Sequence, residues 1–139
     1  MTTKQHERTI ARRAALQALY QSEIMGCSVD DILDGTASVP VELHLDDYAR
    51  MLVEGVGKNR ADIDAKIGEA SENWALDRMP VVDRSLLRLS VFEMLHVEDV
   101  PVSVSINEAV ELAKEFGGED DSHRFVNGIL GRIAKGMEE

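Results

Sequence analysis

The chain has 139 residues, 44% of them hydrophobic, 29% charged and only 4% aromatic, with a net charge of −11. This composition describes one globular domain, burying roughly two-thirds of the surface of its unfolded chain around a core of Leu, Ile, Val, Met and Ala. The lone cysteine, Cys27, excludes an internal disulfide and a Cys-based zinc cage. No apolar run approaches the roughly 20 residues that cross a bilayer, and no signal peptide is evident, so the expected location is the cytoplasm.

The periodicity predicts seven helical segments and no strand. The first, over 7–25, ends at Gly26 and is divided along its length. Lys4, Arg8 and Arg12 recur every four residues with Arg13 beside them, while Leu16, Leu19, Tyr20 and Ile24 follow one to two turns later. The basic end is therefore expected to protrude beyond the core. Cations at a helix N-terminus oppose the macrodipole, so stability alone would place Asp or Glu there. Residues 1–21 contain those four cations against Glu7 alone, leaving the remaining chain more acidic than the total suggests. A basic arm on an acidic body concentrates attraction for phosphate in one place; the alternative is a solvated helix end.

A short helix over 30–34 and a loop through Gly35, Pro40 and His44 lead into a third helix over 45–57, with Leu45, Tyr48, Leu52 and Val56 on one side. The fourth, 60–71, aligns Ile63, Ile67 and Ala70, and Trp74 extends that spacing. Pro80 suits the first turn of the fifth helix. There Val82, Leu86, Leu87, Leu89, Val91, Phe92 and Leu95 leave little polar surface, which predicts the central, most buried helix. Asp83 in its first turn is explained by the helix dipole, yet polar residues bordering Leu-rich helices also line partner-binding grooves. Both readings stand for Tyr20, Asp83, Arg84 and Glu93.

The segment VPVSVSI (100–106) alternates like a strand but runs into Ser105 and Glu108, spaced as a capping box, and reads as an extended connector into the sixth helix. Ile106, Ala109, Val110, Ala113 and Phe116 form its apolar stripe, and Gly117-Gly118 is expected to end it with left-handed geometry. Ser122 is placed to cap the seventh helix, whose buried side is Phe125, Val126, Ile129, Leu130 and Ile133. Asp121, Ser122, His123 and Arg124 crowd this entrance more than geometry requires. Glu119, Asp120, Asp121 and His123 do not share one helix face, so no metal site is expected. Phosphate-binding glycine loops and nucleophile elbows are absent, so neither catalysis nor a cofactor is expected.

The stretches ARRAALQALYQ (11–21), WALDRMPVVDRSLLRLSVFEM (74–94) and INEAVELAKEFG with SHRFVNGIL (106–130) resemble the NusB family of bacterial transcription antitermination factors. The resemblance spans essentially the whole chain. It implies an all-α fold of two roughly perpendicular three-helix bundles within one domain, with halves at about 1–73 and 74–139. It implies binding of single-stranded boxA RNA from ribosomal RNA leader transcripts, together with NusE, a small-subunit ribosomal protein, and entry into the RNA polymerase antitermination complex. Arg8, Arg12 and Arg13 match the family's RNA-binding arm, which Lys4 extends. Asp121, His123, Arg124 and Phe125 match the RNA-contacting helix entrance, although for Phe125 taken alone the core is the favoured reading. Tyr20 and Asp83 match the NusE-facing side.

Two departures stand out. The arm is thinner than in arginine-dense relatives, so RNA affinity leans more on NusE. The turn GGEDDSH is one acidic residue longer than GxEDSH, leaving the placement of Asp120 and Asp121 open. Rival readings are a helical protein-interaction module, a ribosome-assembly accessory factor without RNA specificity, and the accessory domain of an RNA methyltransferase. The lack of a glycine-rich cofactor loop speaks against the last. A homodimer is compatible with all of them.

Overall fold

The computed structural model describes residues 3–38, 42–72, 74–117 and 120–138. Among them are seven α-helices, one 3-10 turn and no strand, as the periodicity predicts. The helices are α1 (Thr3–Met25), α2 (Val29–Leu33), α3 (Asp47–Lys58), α4 (Arg60–Ala70), α5 (Val81–His96), α6 (Val102–Phe116) and α7 (Ser122–Met137); the 3-10 turn is Leu76–Arg78. Pro40 and the glycine at 118 lie outside the described residues.

The fold is organised around α5, which is buried on every side from Ser85 to Met94. It packs against α1, α3, α4, α6 and α7. Helices α1, α2 and α3 contact one another, α6 pairs with α7, and α4 packs on α5 and α7. Close approach in the first group uses small residues. Ala11, Ala15 and Ala18 of α1 are buried, and Gly55 of α3 lies under the ring of Phe92, so close that an added Cβ would meet ring carbons at 2.1–2.7 Å.

Because the middle of α5 has no solvent face, its charged side chains find partners on other helices, whereas the Ser85 hydroxyl is buried without one among the described residues. Arg88 donates to Asp64 of α4 and Glu23 of α1. Glu93 accepts from Arg12 of α1, Tyr48 of α3 and Ser105 of α6. Asp83 accepts from Ser122 of α7 at 3.0 Å. These bonds fix the rotation of α5 against its neighbours, which a uniformly apolar surface would leave less defined.

Several local expectations change. Helix α1 starts four residues earlier than the pattern suggests. The alternating segment is not an extended connector: Pro101 precedes the first turn and α6 runs from Val102. Ser105 is therefore inside the helix and donates to Glu93, while Glu108 faces Arg12; no capping box forms. Pro101 supplies the start instead, because proline needs no hydrogen-bond partner for a missing N–H.

Gly117 is extended, at φ −56° and ψ 148°, not left-handed. Glycine is required there by space: a Cβ would sit 2.4 Å from both the Ala113 carbonyl oxygen and the Ser122 Cβ. Ser122 does not cap α7; its hydroxyl is turned inward to Asp83, and Asp121 occupies the cap position without a side-chain capping bond. Gly26, at φ +67°, does end α1 as expected. Trp74 does not continue the buried face of α4. It follows the helix end and is 58% exposed.

Candidate nucleic-acid interface

The cations of α1 do not stand clear of the core; acidic groups from the far half of the chain meet them. Lys4 Nζ and Arg8 both reach Asp99 Oδ2, at 3.3 and 3.1 Å. Asp99 lies in the α5–α6 connection, and hydrogen bonds from Arg8 and Lys4 hold its carboxyl below the usual range. The Arg8 guanidinium also lies 4.5 Å over the ring of Tyr48, where the ring's negative face favours a cation. Arg13, half exposed, forms a two-pronged pair with Glu115 and lies 5.1 Å over the ring of Phe116.

Arg12 differs from its neighbours. It is 5% exposed; its Nε lies 2.8 and 3.0 Å from the two Glu93 oxygens, and Nη1 lies 2.9 Å from Glu108. Glu93 accepts further bonds from Tyr48 Oη and Ser105 Oγ at 2.5 and 2.6 Å, and Thr9 donates to Glu108. Burial, then the hydrogen bond to Glu93, pushes the Tyr48 hydroxyl far above its ordinary value, so it remains a donor. The spacing of four aligns Arg12 with Arg8, but Arg12 is a knot joining α1, α3, α5 and α6. A phosphate reaches it only if buried carboxylates release it.

At the α7 entrance, Arg124 and Asp121 are exposed and stand 3.7 Å apart. His123 is half-buried, and Phe125 is half-buried and packs against the core. Phe125 also lines a cleft of about 300 Å³ with Trp74 and Arg78. Tyr20 lines a second cleft of about 500 Å³ with Arg13, Leu16, Val82 and Phe116. Asp83 is not on this surface: it is 3% exposed and bonded to Ser122. The structure thus brings Arg13 and Tyr20 to one cleft and Phe125 to another.

A family model described as the NusB family matches residues 9–135. The chain belongs to the NusB family. It is 49% identical over 132 residues to the transcription antitermination protein NusB of Anaeromyxobacter dehalogenans, covering 94% of this chain and 92% of the relative. Against the NusB of Myxococcus xanthus the identity is 45%, covering 95% and 97%. Among solved structures, T. maritima NusB superposes with a TM-score of 0.79 at 38% identity, covering 92% of this chain and 90% of the other. A chain of the crystal structure of antitermination factors NusB and NusE in complex with dsRNA shares the fold, at TM-score 0.77, 24% identity and coverage of 97% and 99%.

In this NusB-family chain, the residues that sequence reasoning overlooked are of two kinds. Asp99, Glu108 and Glu115 balance the arginine arm, and no periodicity links them to α1 because they lie some hundred positions away. Trp74, which the helical spacing had aligned with the buried face of the fourth helix, instead lines a surface cleft with Arg78. Among the described residues, no group of His, Cys, Asp and Glu converges to hold a metal ion, and no helix is long and apolar enough to cross a membrane.

Proposed function

We propose that this NusB-family chain is a noncatalytic cytoplasmic adaptor that binds single-stranded boxA RNA jointly with NusE and carries it into the RNA polymerase antitermination complex. The observation that supports this most is the gathering of Lys4, Arg8 and Arg13 along α1 in an otherwise acidic protein, with Lys4 and Arg13 exposed and Arg8 partly covered. Lys4, Arg8 and Arg13 present charge to phosphate oxygens, which position a strand without reading its sequence. Asp121, His123 and Arg124 at the α7 entrance read base edges. Tyr20 and the cleft around it face NusE; Asp83, buried and bonded to Ser122, is not part of that surface. NusE and double-stranded RNA accompany NusB in one of the solved structures of the same fold.

Each cation that RNA engages already has a carboxylate beside it, so phosphate must displace a local partner. The exposed pairs Lys4–Asp99 and Arg13–Glu115 are weak and give way to a polyanion that releases its own counterions on binding. Filter retention of a boxA oligonucleotide, with and without NusE, tests the proposal. Preferential retention over a scrambled oligomer, strengthened by NusE, is expected. Equal retention of both sequences in the presence of NusE overturns it.

A further inference from the structure

The cleft beside the α7 entrance holds the chain's only tryptophan, and its construction is unlike that of a core edge. Trp74 is 58% exposed, yet its backbone is pinned at both ends. Its N–H donates to the Ser71 carbonyl at 3.1 Å, and its own carbonyl accepts from Ser71 Oγ at 3.1 Å, with Ser71 buried. Exposing a large aromatic ring forgoes the stabilisation its burial would contribute. An exposed ring on a held backbone is the form that a stacking platform takes, because only the side-chain rotation remains to be ordered on binding.

The other walls define what would stack. Phe125 supplies a second, half-buried aromatic ring, and Arg78 an exposed guanidinium with no ion pair among the described residues. Asp121 is exposed at the rim and Asp83 lies at the base, bonded to Ser122. A phosphate entering here would meet two carboxylates. A neutral planar group with both donor and acceptor edges meets aromatic faces, a guanidinium that donates and a carboxylate that accepts. Those are the features of a nucleobase: a π-face that stacks on aromatic or guanidinium planes and an edge that bonds polar groups. The cleft opens on the same α7 entrance as Arg124 and Phe125, so it continues the RNA face of the proposed function.

We infer that this cleft receives one unpaired RNA base, stacked on Trp74 and flanked by Phe125 and Arg78, with Asp121 accepting from an amino group on the base edge. The inference rests on the RNA-binding reading above, and the experiment separates the two. Trp74 is the sole indole, so its fluorescence reports on this cleft directly. The full chain is titrated with boxA RNA while binding is followed independently by filter retention, then again with oligomers carrying one abasic position at a time. RNA that binds should quench Trp74, and one abasic position should abolish the quench while leaving the rest of the strand bound. Trp74→Ala should weaken retention roughly 5- to 150-fold, with unchanged helicity and melting temperature, and Trp74→Phe should recover most of the loss.

RNA retained with unchanged Trp74 emission, or with equal affinity in Trp74→Ala, overturns the stacking site and leaves the adaptor reading intact. No retention of any RNA, with or without NusE, overturns both. A change in Trp74 emission on adding NusE alone, with no further change on adding RNA, makes the cleft a protein contact and also overturns the inference.

Discussion

Arg8, Arg12 and Arg13 illustrate how three arginines in one turn and a half of helix take different roles. Arg12 is enclosed, and its charge is matched by Glu93 and Glu108. Removing one member of a buried ion pair leaves the other uncompensated, at a cost of about 3–5 kcal/mol. Arg12→Ala is therefore expected to lower unfolding stability by about that amount in a denaturant titration, and any loss of RNA binding should follow the folded fraction. Arg13 is half exposed and its pair with Glu115 contributes about 0–1 kcal/mol. Arg13→Ala should melt close to the parent chain while retaining less boxA RNA; a stability loss as large as that of Arg12→Ala would contradict the assigned burial. The same contrast explains why residue spacing alone treated them alike. A helical repeat states which side chains align, but not whether the space above them is water or another helix.

At the scale of elements, the α6–α7 turn sets the geometry of the RNA-facing entrance. Gly117 leaves room for Ser122 to fold inward onto Asp83, and that bond holds the first turn of α7 against the first turn of α5. Gly117→Ala puts a methyl group into contact distances no packed structure sustains. Overpacking of this kind costs about 1–3 kcal/mol, and relief requires α7 to shift, so the variant should lose both stability and RNA retention. A variant with parental melting and parental RNA affinity would show that the turn has slack. The start of α6 carries the complementary lesson. Ser105 and Glu108 satisfy the spacing of a capping box, but Pro101 allows the helix to begin a turn earlier, and both side chains are drawn to charges on α1 and α5. Capping patterns are local; a buried Glu93 and Arg12 need partners badly enough to take them.

Across the whole molecule, charge determines how stability and RNA binding respond to solution conditions. Burial works to raise the Glu23 carboxyl, but hydrogen bonds and charge attraction from Arg84 and Arg88 outweigh it and hold the group below its ordinary value of 4.5. A carboxyl depressed in the folded state contributes stability that is complete above its unfolded value and is lost as pH falls through its folded value. The unfolding midpoint in denaturant should therefore drop below about pH 4.5, and Glu23→Gln should flatten that drop. For RNA, Lys4, Arg8 and Arg13 supply about three phosphate contacts, so log affinity should fall with log salt at a slope of about −2 for a single strand. A slope near zero would remove α1 from the interface. By itself the sequence determined the helical class, the placement of α3, α4 and α5, the centrality of α5 and the family, because these follow from apolar spacing, turn residues and extended motifs along the chain. The tertiary structure alone decided that Arg12 is buried, that Asp83 faces inward, that acidic groups of the far half shadow the arm and that Trp74 stands in a surface cleft. The physical reason is range: periodicity records how a segment faces its own axis, whereas ion pairs, buried polar bonds and clefts are made by segments distant in sequence, and only packing brings them together.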